Sequence, residues 1–200
     1  APQIVPSAAG AGIEPDVASA ALEQAFTAQE RVAKIETTTV QPAVTTADLE
    51  AAGVNELVSE FSTRMSGSAG RRENITIAAD TINGSYLAPG QTFSMNEVLG
   101  PRTTDKGYNR APVIMNGRMT TGTGGGVSQV ATTLYNGAFF AGMTDVEHKP
   151  HSLYISRYPV GREATVNYPD VDLKFANDSP HGVLIQMYVA DGQVTTRFWS

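Results

Sequence analysis

Thr121-Gly122-Thr123-Gly124-Gly125-Gly126-Val127-Ser128-Gln129-Val130-Ala131-Thr132-Thr133-Leu134-Tyr135-Asn136 is a glycine-rich loop that runs directly into a helix. The spacing predicts a helix from Ser128 to about Phe140, with Val127, Val130, Ala131, Leu134, Ala138 and Ala141 on its apolar face. Glycines before a helix leave backbone N–H groups unshielded, and the helix start adds partial positive charge. Such a place accepts an anion, or the oxyanion that develops on a carbonyl. Ser128 reads two ways: as an N-cap, a role serine fills without any chemistry, or as a nucleophile in the first turn. The glycines are no phosphate loop, since neither a Gly-Lys-Ser/Thr ending nor G-x-G-x-x-G is present.

A serine nucleophile needs a base, and the chain has three histidines, His148, His151 and His181. His151 precedes a predicted strand (residues 153–158) and is the better candidate base. The plain alternative is a half-buried histidine satisfied by backbone. A nucleophile at a helix start followed by a histidine on a strand is the arrangement of papain-like hydrolases. A metal pair from His148 and His151 is not expected. Pro150 between them precludes a helix, and i,i+3 positions on a strand face opposite ways. Arg157 and Arg162 bracket a Tyr158-Pro159-Val160-Gly161 turn. They are either a clamp for a substrate carboxylate or ordinary turn charges. Asp170 and Asp172 flank Val171, placed either to orient a histidine or at a strand edge. Asn74-Ile75-Thr76 and Asn83-Gly84-Ser85 match the glycosylation pattern, but in helical and turn backbone that match means little.

Around this centre, residues 73–82 read as a helix, 164–168 and 172–176 as strands, and 183–190 with 193–199 as a hairpin about Asp191-Gly192. Upstream, Pro15 starts a helix to about Ala28, 32–44 reads as a strand, and Thr45 or Thr46 caps a short helix over 47–52. Residues 1–70 carry nine acidic and three basic side chains, whereas 71–200 carry eleven of each. With the composition shift, this places a linker near 61–71 and domains at 1–63 and 64–200. The fold class is α+β: a mostly antiparallel sheet on a central helix, preceded by a small α+β unit.

The whole chain has 200 residues, 41% hydrophobic and 17% charged, a globular balance that excludes wholesale disorder. A net charge of −6 argues against nucleic acid as partner. No apolar run is long enough to span a membrane. Without cysteine there are no disulfides, Cys-ligated metal or thiol catalysis, and no cofactor is implied. Ala1 follows neither Met nor a signal pattern, so the chain reads as a piece of a longer protein whose targeting segment is absent.

Several motifs fall in one order: Ala88-Pro89-Gly90-Gln91-Thr92-Phe93-Ser94-Met95-Asn96, Gly100-Pro101-Arg102-Thr103, Gly107-Tyr108, Gly124 to Asn136, His151-Ser152, and Asp172-Leu173-Lys174-Phe175-Ala176-Asn177. Over about 72–190 the chain closely resembles the VanW domain family, named from vancomycin-resistance gene clusters. Residues 1–60 resemble the end of the peptidoglycan-binding domain that often precedes VanW domains in envelope proteins of Gram-positive bacteria. The resemblance implies an extracytoplasmic protein of the cell wall, with peptidoglycan stem peptides or glycan as partner. It also implies kinship with L,D-transpeptidases that use a cysteine in a G-G-G-hydrophobic-C-Q motif. Ser128 stands where that cysteine would be. A helix start lowers a thiol pKa enough to give thiolate, whereas a hydroxyl needs a general base.

Three readings follow. In an acyl transferase, Ser128 is the nucleophile, His151 the base, and Gly124, Gly125, Gly126 and Gln129 form the oxyanion and substrate site with Arg157 or Arg162. In a binding module, the same cleft recognises stem peptides without turnover. In a spacer, only the N-terminal unit is explained.

Overall fold

The computed structural model describes residues 2–3, 5–115 and 117–200. They form two compact units, Gln3–Ala51 and Ala52–Ser200. In the smaller unit β1 (Gly10–Gly12) pairs antiparallel with β2 (Thr38–Val40), and α1 (Pro15–Thr27) carries proline at its start. Thr45 and Asp48 cap α2 (Thr46–Ala51) reciprocally: the Asp48 carboxylate accepts the Thr45 N–H at 2.8 Å, and the Thr45 hydroxyl accepts the Asp48 N–H at 3.1 Å. The expected strand over 32–44 contracts to the three residues of β2.

The larger unit begins its sheet with β3 (Leu57–Arg64), in the stretch that composition marks as linker. The strand escapes a hydrophobicity reading because its buried positions are hydroxyls. The Ser59 hydroxyl donates to the Gly137 carbonyl at 2.7 Å, and Thr63 Oγ1 meets Thr133 Oγ1 at 2.7 Å. Ser68 then caps α3 (Ala69–Ile82), four residues earlier than its apolar spacing suggests. Next come β4 (Ser85–Leu87), β5 (Thr92–Ser94), α4 (Met95–Leu99), and a hairpin of β6 (Arg110–Met115) and β7 (Arg118–Thr123). The central helix α5 (Val127–Phe140) is followed by β8 (Thr144–Glu147), β9 (Lys174–Ala176), β10 (Val183–Ala190) and β11 (Gln193–Trp199).

The main sheet has the order β3-β11-β10-β4, antiparallel throughout. Asp191 and Gly192 both take positive φ, as the two-residue hairpin turn requires, and Ala190 pairs with Gln193. A second sheet runs β5-β9-β8. The core joins α3 (Ile75, Ala78, Ile82), α5 (Val130, Leu134) and the sheet (Ile185, Met187, Val194, Phe198). The fold is therefore α+β with the glycine-led helix at its centre. The strands expected at 153–158 and 164–168 do not form. That region holds turns and one isolated bridge, Asn167 with Val171.

Gly137 sets how closely α5 approaches the sheet. A Cβ there would lie 2.5 Å from Thr196 Cγ2 and 2.7 Å from Phe198 Cε2. Glycine to alanine inside a helix normally gains about 1 kcal/mol. Here overpacking, about 1–3 kcal/mol, outweighs that gain. Gly137→Ala is therefore expected to lower the thermal midpoint, and a raised midpoint would show that the helix can move off the sheet freely.

Candidate functional site

The turn into α5 is built from three glycines, each with its own backbone reason. Gly124 and Gly126 sit at φ 81° and 109°, where side chains are strained. Gly125 is buried, and a Cβ on it would meet the backbone of Ala111 and Pro112 at 2.6–2.7 Å. Asn74, fully buried on α3, holds this turn. Its Oδ1 accepts the Asn109 N–H at 2.7 Å, and its Nδ2 donates to the carbonyls of Asn109 (3.0 Å) and Gly125 (2.9 Å). The N-cap is Gly126, which corrects the reading of Ser128 as cap; Ser128 is the second residue of the helix. The sequon at Asn74 is closed for the same reason, because its amide is spent on backbone inside the core.

Ser128, Thr132 and Asn136 form a polar stripe along α5, one turn apart. The strap of residues 162–166 lies on it. Asn136 Nδ2 donates to the Arg162 carbonyl at 2.7 Å. The Thr132 hydroxyl donates to the Ala164 carbonyl at 2.9 Å and accepts the Ala164 N–H at 3.2 Å. Ser128 Oγ accepts the Val166 N–H at 3.4 Å and lies 3.0 Å from Thr165 Oγ1. The intervening Thr165 N–H turns the other way, to the Lys149 carbonyl at 2.8 Å. The strap is thus an extended segment docked on helix side chains instead of on a strand.

His151 stands on the far side of this strap, in a loop and not at a strand entrance. Its Nδ1 lies 2.9 Å from the Glu163 carboxylate, its ring stacks on Tyr158 with centroids 5.5 Å apart, and its side chain is 5% exposed. Burial pushes its pKa below the ordinary histidine value against the opposing pull of Glu163, and Arg157 lowers it further. A carboxylate only accepts, so Nδ1 carries the proton in the neutral ring and Nε2 is the basic nitrogen. Glu163 and Thr165 are two residues apart in the strap, so His151 and Ser128 each contact it within one short stretch. Among the described residues, however, the hydrogen-bond partners of Ser128 Oγ are Thr165 and Val166, not His151. His148 belongs elsewhere, stacked on Tyr135 at 4.3 Å and paired with Asp145 at 2.6 Å.

The two turn arginines part company. Arg162 lies over Phe140 (4.7 Å) and Phe139 (5.9 Å) at the far end of α5. Twelve helical residues separate Phe140 from Ser128, about 18 Å along the axis, so Arg162 is not part of this neighbourhood. Arg157 is, with Nη1 donating to Ser66 Oγ at 3.0 Å and the guanidinium 5.8 Å from the Tyr158 ring. Asp172 is buried and structural. It accepts the N–H groups of Asn96 and Leu173, each at 2.8 Å, and the Ser94 hydroxyl at 2.6 Å, and so anchors the start of α4. Asp170 is exposed.

Arg71 is the residue that sequence reasoning passes over. Its Nη2 donates to Gln129 Oε1 at 2.8 Å and its Nη1 to the Ser66 carbonyl at 2.7 Å. Gln129, fully buried, donates in turn to Thr63 Oγ1 (2.9 Å) and the Arg64 carbonyl (3.0 Å). Gln129 is therefore committed to holding β3 and α3. Among the described residues no group of three or more metal-ligating side chains assembles, and no helix is long and apolar enough to cross a membrane.

The glycine turn clamped by a buried asparagine, and the Val-Ser-Gln helix start that follows it under the strap, lie within residues 70–199, which match the VanW-like protein family. The chain belongs to that family. It is similar to the uncharacterized protein YoaR of Bacillus subtilis (strain 168), with 34% identity over 155 residues, 73% of this chain and 51% of that one. It is also similar to the vancomycin B-type resistance protein VanW of Enterococcus faecalis (strain ATCC 700802 / V583), with 29% identity over 113 residues, 53% of this chain and 40% of that one. The chain thus spans about half the length of the first and two fifths of the second. No solved structure matches.

The buried His151 has a consequence for stability. The unfolded imidazole titrates near ~6.5, and the folded one below it. Between those values the unfolded chain binds more protons, so the contribution of His151 is complete above the unfolded pKa and is lost as pH falls towards the folded one. Denaturant midpoints measured across this window should fall less steeply with acidification in His151→Gln than in the parent. Equal slopes would mean that the ring is freely protonated in the folded protein.

Proposed function

We propose that this chain is a cell-envelope domain that recognises peptidoglycan stem peptides at the start of α5, with residues 64–200 as the VanW-like domain and 1–63 as the end of a second wall-binding domain. The observation that carries the reading is the setting of Ser128. Its hydroxyl is engaged by Thr165 and the Val166 N–H, and among the described residues no base is in hydrogen-bond contact with it. A hydroxyl in that state is a poor nucleophile but a competent hydrogen-bonding group. The helix start supplies the field that favours a peptide carbonyl or carboxylate there. Family membership and the similarity to a vancomycin-resistance protein support the envelope setting.

A second reading, acyl transfer of the L,D-transpeptidase kind, is favoured by the His151–Glu163 pair. In it Ser128 Oγ attacks the stem-peptide carbonyl and His151 Nε2 takes its proton. The departing terminal amino acid leaves with that proton; an amine of a second stem then attacks the acyl carbon, gives a proton to His151 Nε2, and Ser128 Oγ leaves with it as the hydroxyl. This needs the Thr165 contact to break and His151 to swing about the strap.

Intact-protein mass spectrometry after incubation with tetrapeptide and pentapeptide muropeptides, with Ser128→Cys alongside, separates the two. Recognition predicts an unmodified parent protein that co-sediments with sacculi. An acyl adduct on Ser128 would replace that reading with acyl transfer. An adduct on the cysteine variant alone would fit a thiol-enzyme scaffold whose serine form binds. Failure to sediment together with absence of any adduct would sink both.

A further inference from the structure

Ser66 lies between two guanidinium groups. Arg71, from α3, donates Nη1 to its carbonyl at 2.7 Å, and Arg157, from the loop before the strap, donates Nη1 to its hydroxyl at 3.0 Å. Two like charges that share one residue repel, and a protein normally answers with a carboxylate. Among the described residues neither arginine has a carboxylate oxygen within 4.0 Å. The acid in this neighbourhood, Glu163, is taken by His151. The acceptors of Arg71 are neutral: Gln129 Oε1, the Ser66 backbone and the Tyr158 hydroxyl. Each guanidinium has five donors in a planar fork, and these contacts leave donors free on both.

We propose that Arg71 and Arg157 form a carboxylate subsite that takes the free α-carboxylate at the end of a peptide. This deepens the stem-peptide reading and rests on it. The position argues for a peptide terminus over a free anion. Arg71 packs against the helix start itself, where a Cβ on the N-cap Gly126 would meet its Cγ at 2.9 Å, so a carboxylate held by its guanidinium brings the peptide bond before it towards the N–H groups of that start. Bidentate guanidinium–carboxylate geometry would fix that direction. A ligand whose terminus is amidated lacks the charge the pair requires.

The test uses an N-acetylated peptide ending in D-Ala-D-Ala as the free acid, the same peptide as its C-terminal amide, and inorganic phosphate, each titrated into the full chain by calorimetry or NMR. The acid should bind at least ~10-fold more tightly than the amide, and phosphate should compete only weakly, since a bidentate charged contact contributes a factor of this order. Arg157→Gln, an exposed position, should remove the preference of the chain for the acid over the amide. Arg71→Lys should do the same while circular dichroism confirms the fold. Equal binding of acid and amide, an Arg157→Gln variant with parental affinity for the acid, or phosphate binding as tight as the acid would each overturn the subsite. If the chain still sediments with sacculi in that event, stem-peptide recognition survives without this subsite. If sacculi are not bound either, the broader reading fails first.

Discussion

Helix α5 is buried almost all round, and it is not an apolar helix. Gln129, Thr132, Thr133 and Asn136 are fully buried alongside Val130, Ala131 and Leu134. A polar group left unpaired in such a place costs about 1–3 kcal/mol. Each of these four must therefore find a partner outside the helix or along it, and the partners they find determine where the surrounding chain can go. Gln129 and Thr133 fasten β3 through Thr63, Gln129 draws in Arg71 from α3, and Thr132 and Asn136 fix the strap. Of these four side chains, Asn136 alone keeps a buried atom, Oδ1, without a partner among the described residues.

The same fact explains what the sequence discloses and what it hides. The β10–β11 hairpin is legible because Asp191-Gly192 demands one turn type and the flanking residues are β-branched or aromatic. The central helix is legible because its aliphatic residues recur with helical spacing, although glycine geometry and not serine decides its first residue. β3 is hidden because it turns Ser59 and Thr63 inwards, which reads as solvent-facing strand edge or linker. The strap is hidden because it pairs with side chains; residues suited to strands occupy it, but no ladder exists to make it one. Arg71 sits within a stretch that looks like linker, and only its contact with a buried glutamine one residue past Ser128 gives it meaning. Arg162 looks equivalent to Arg157 in sequence, and an aromatic pair at the other end of the helix claims it.

The glycine run illustrates a related division. Positive φ at Gly124 and Gly126, and the backbone pressed against Gly125, are sufficient reasons for three glycines. The glycines therefore need no ligand to account for them. A hydroxyl at this place, unlike a thiol, gains little nucleophilicity from a helix start without help from a base.

The strap on α5 also behaves as a vernier. Two extended residues advance about 6.6 Å, whereas four helical residues advance about 6.0 Å. Two scales so close in pitch mesh over a few divisions and then drift apart. The contacts follow this drift, from 2.7 Å at Asn136 through 2.9 and 3.2 Å at Thr132 to 3.4 Å at Ser128. The scales are aligned at the remote end of the helix and slip out of step at the end where the glycine turn lies. Ser128 is the division at which the mesh gives out: its hydroxyl is held to the strap backbone more weakly than the two side chains behind it, and its shorter contact there is with a side chain, Thr165 Oγ1, which a rotation about one bond can withdraw.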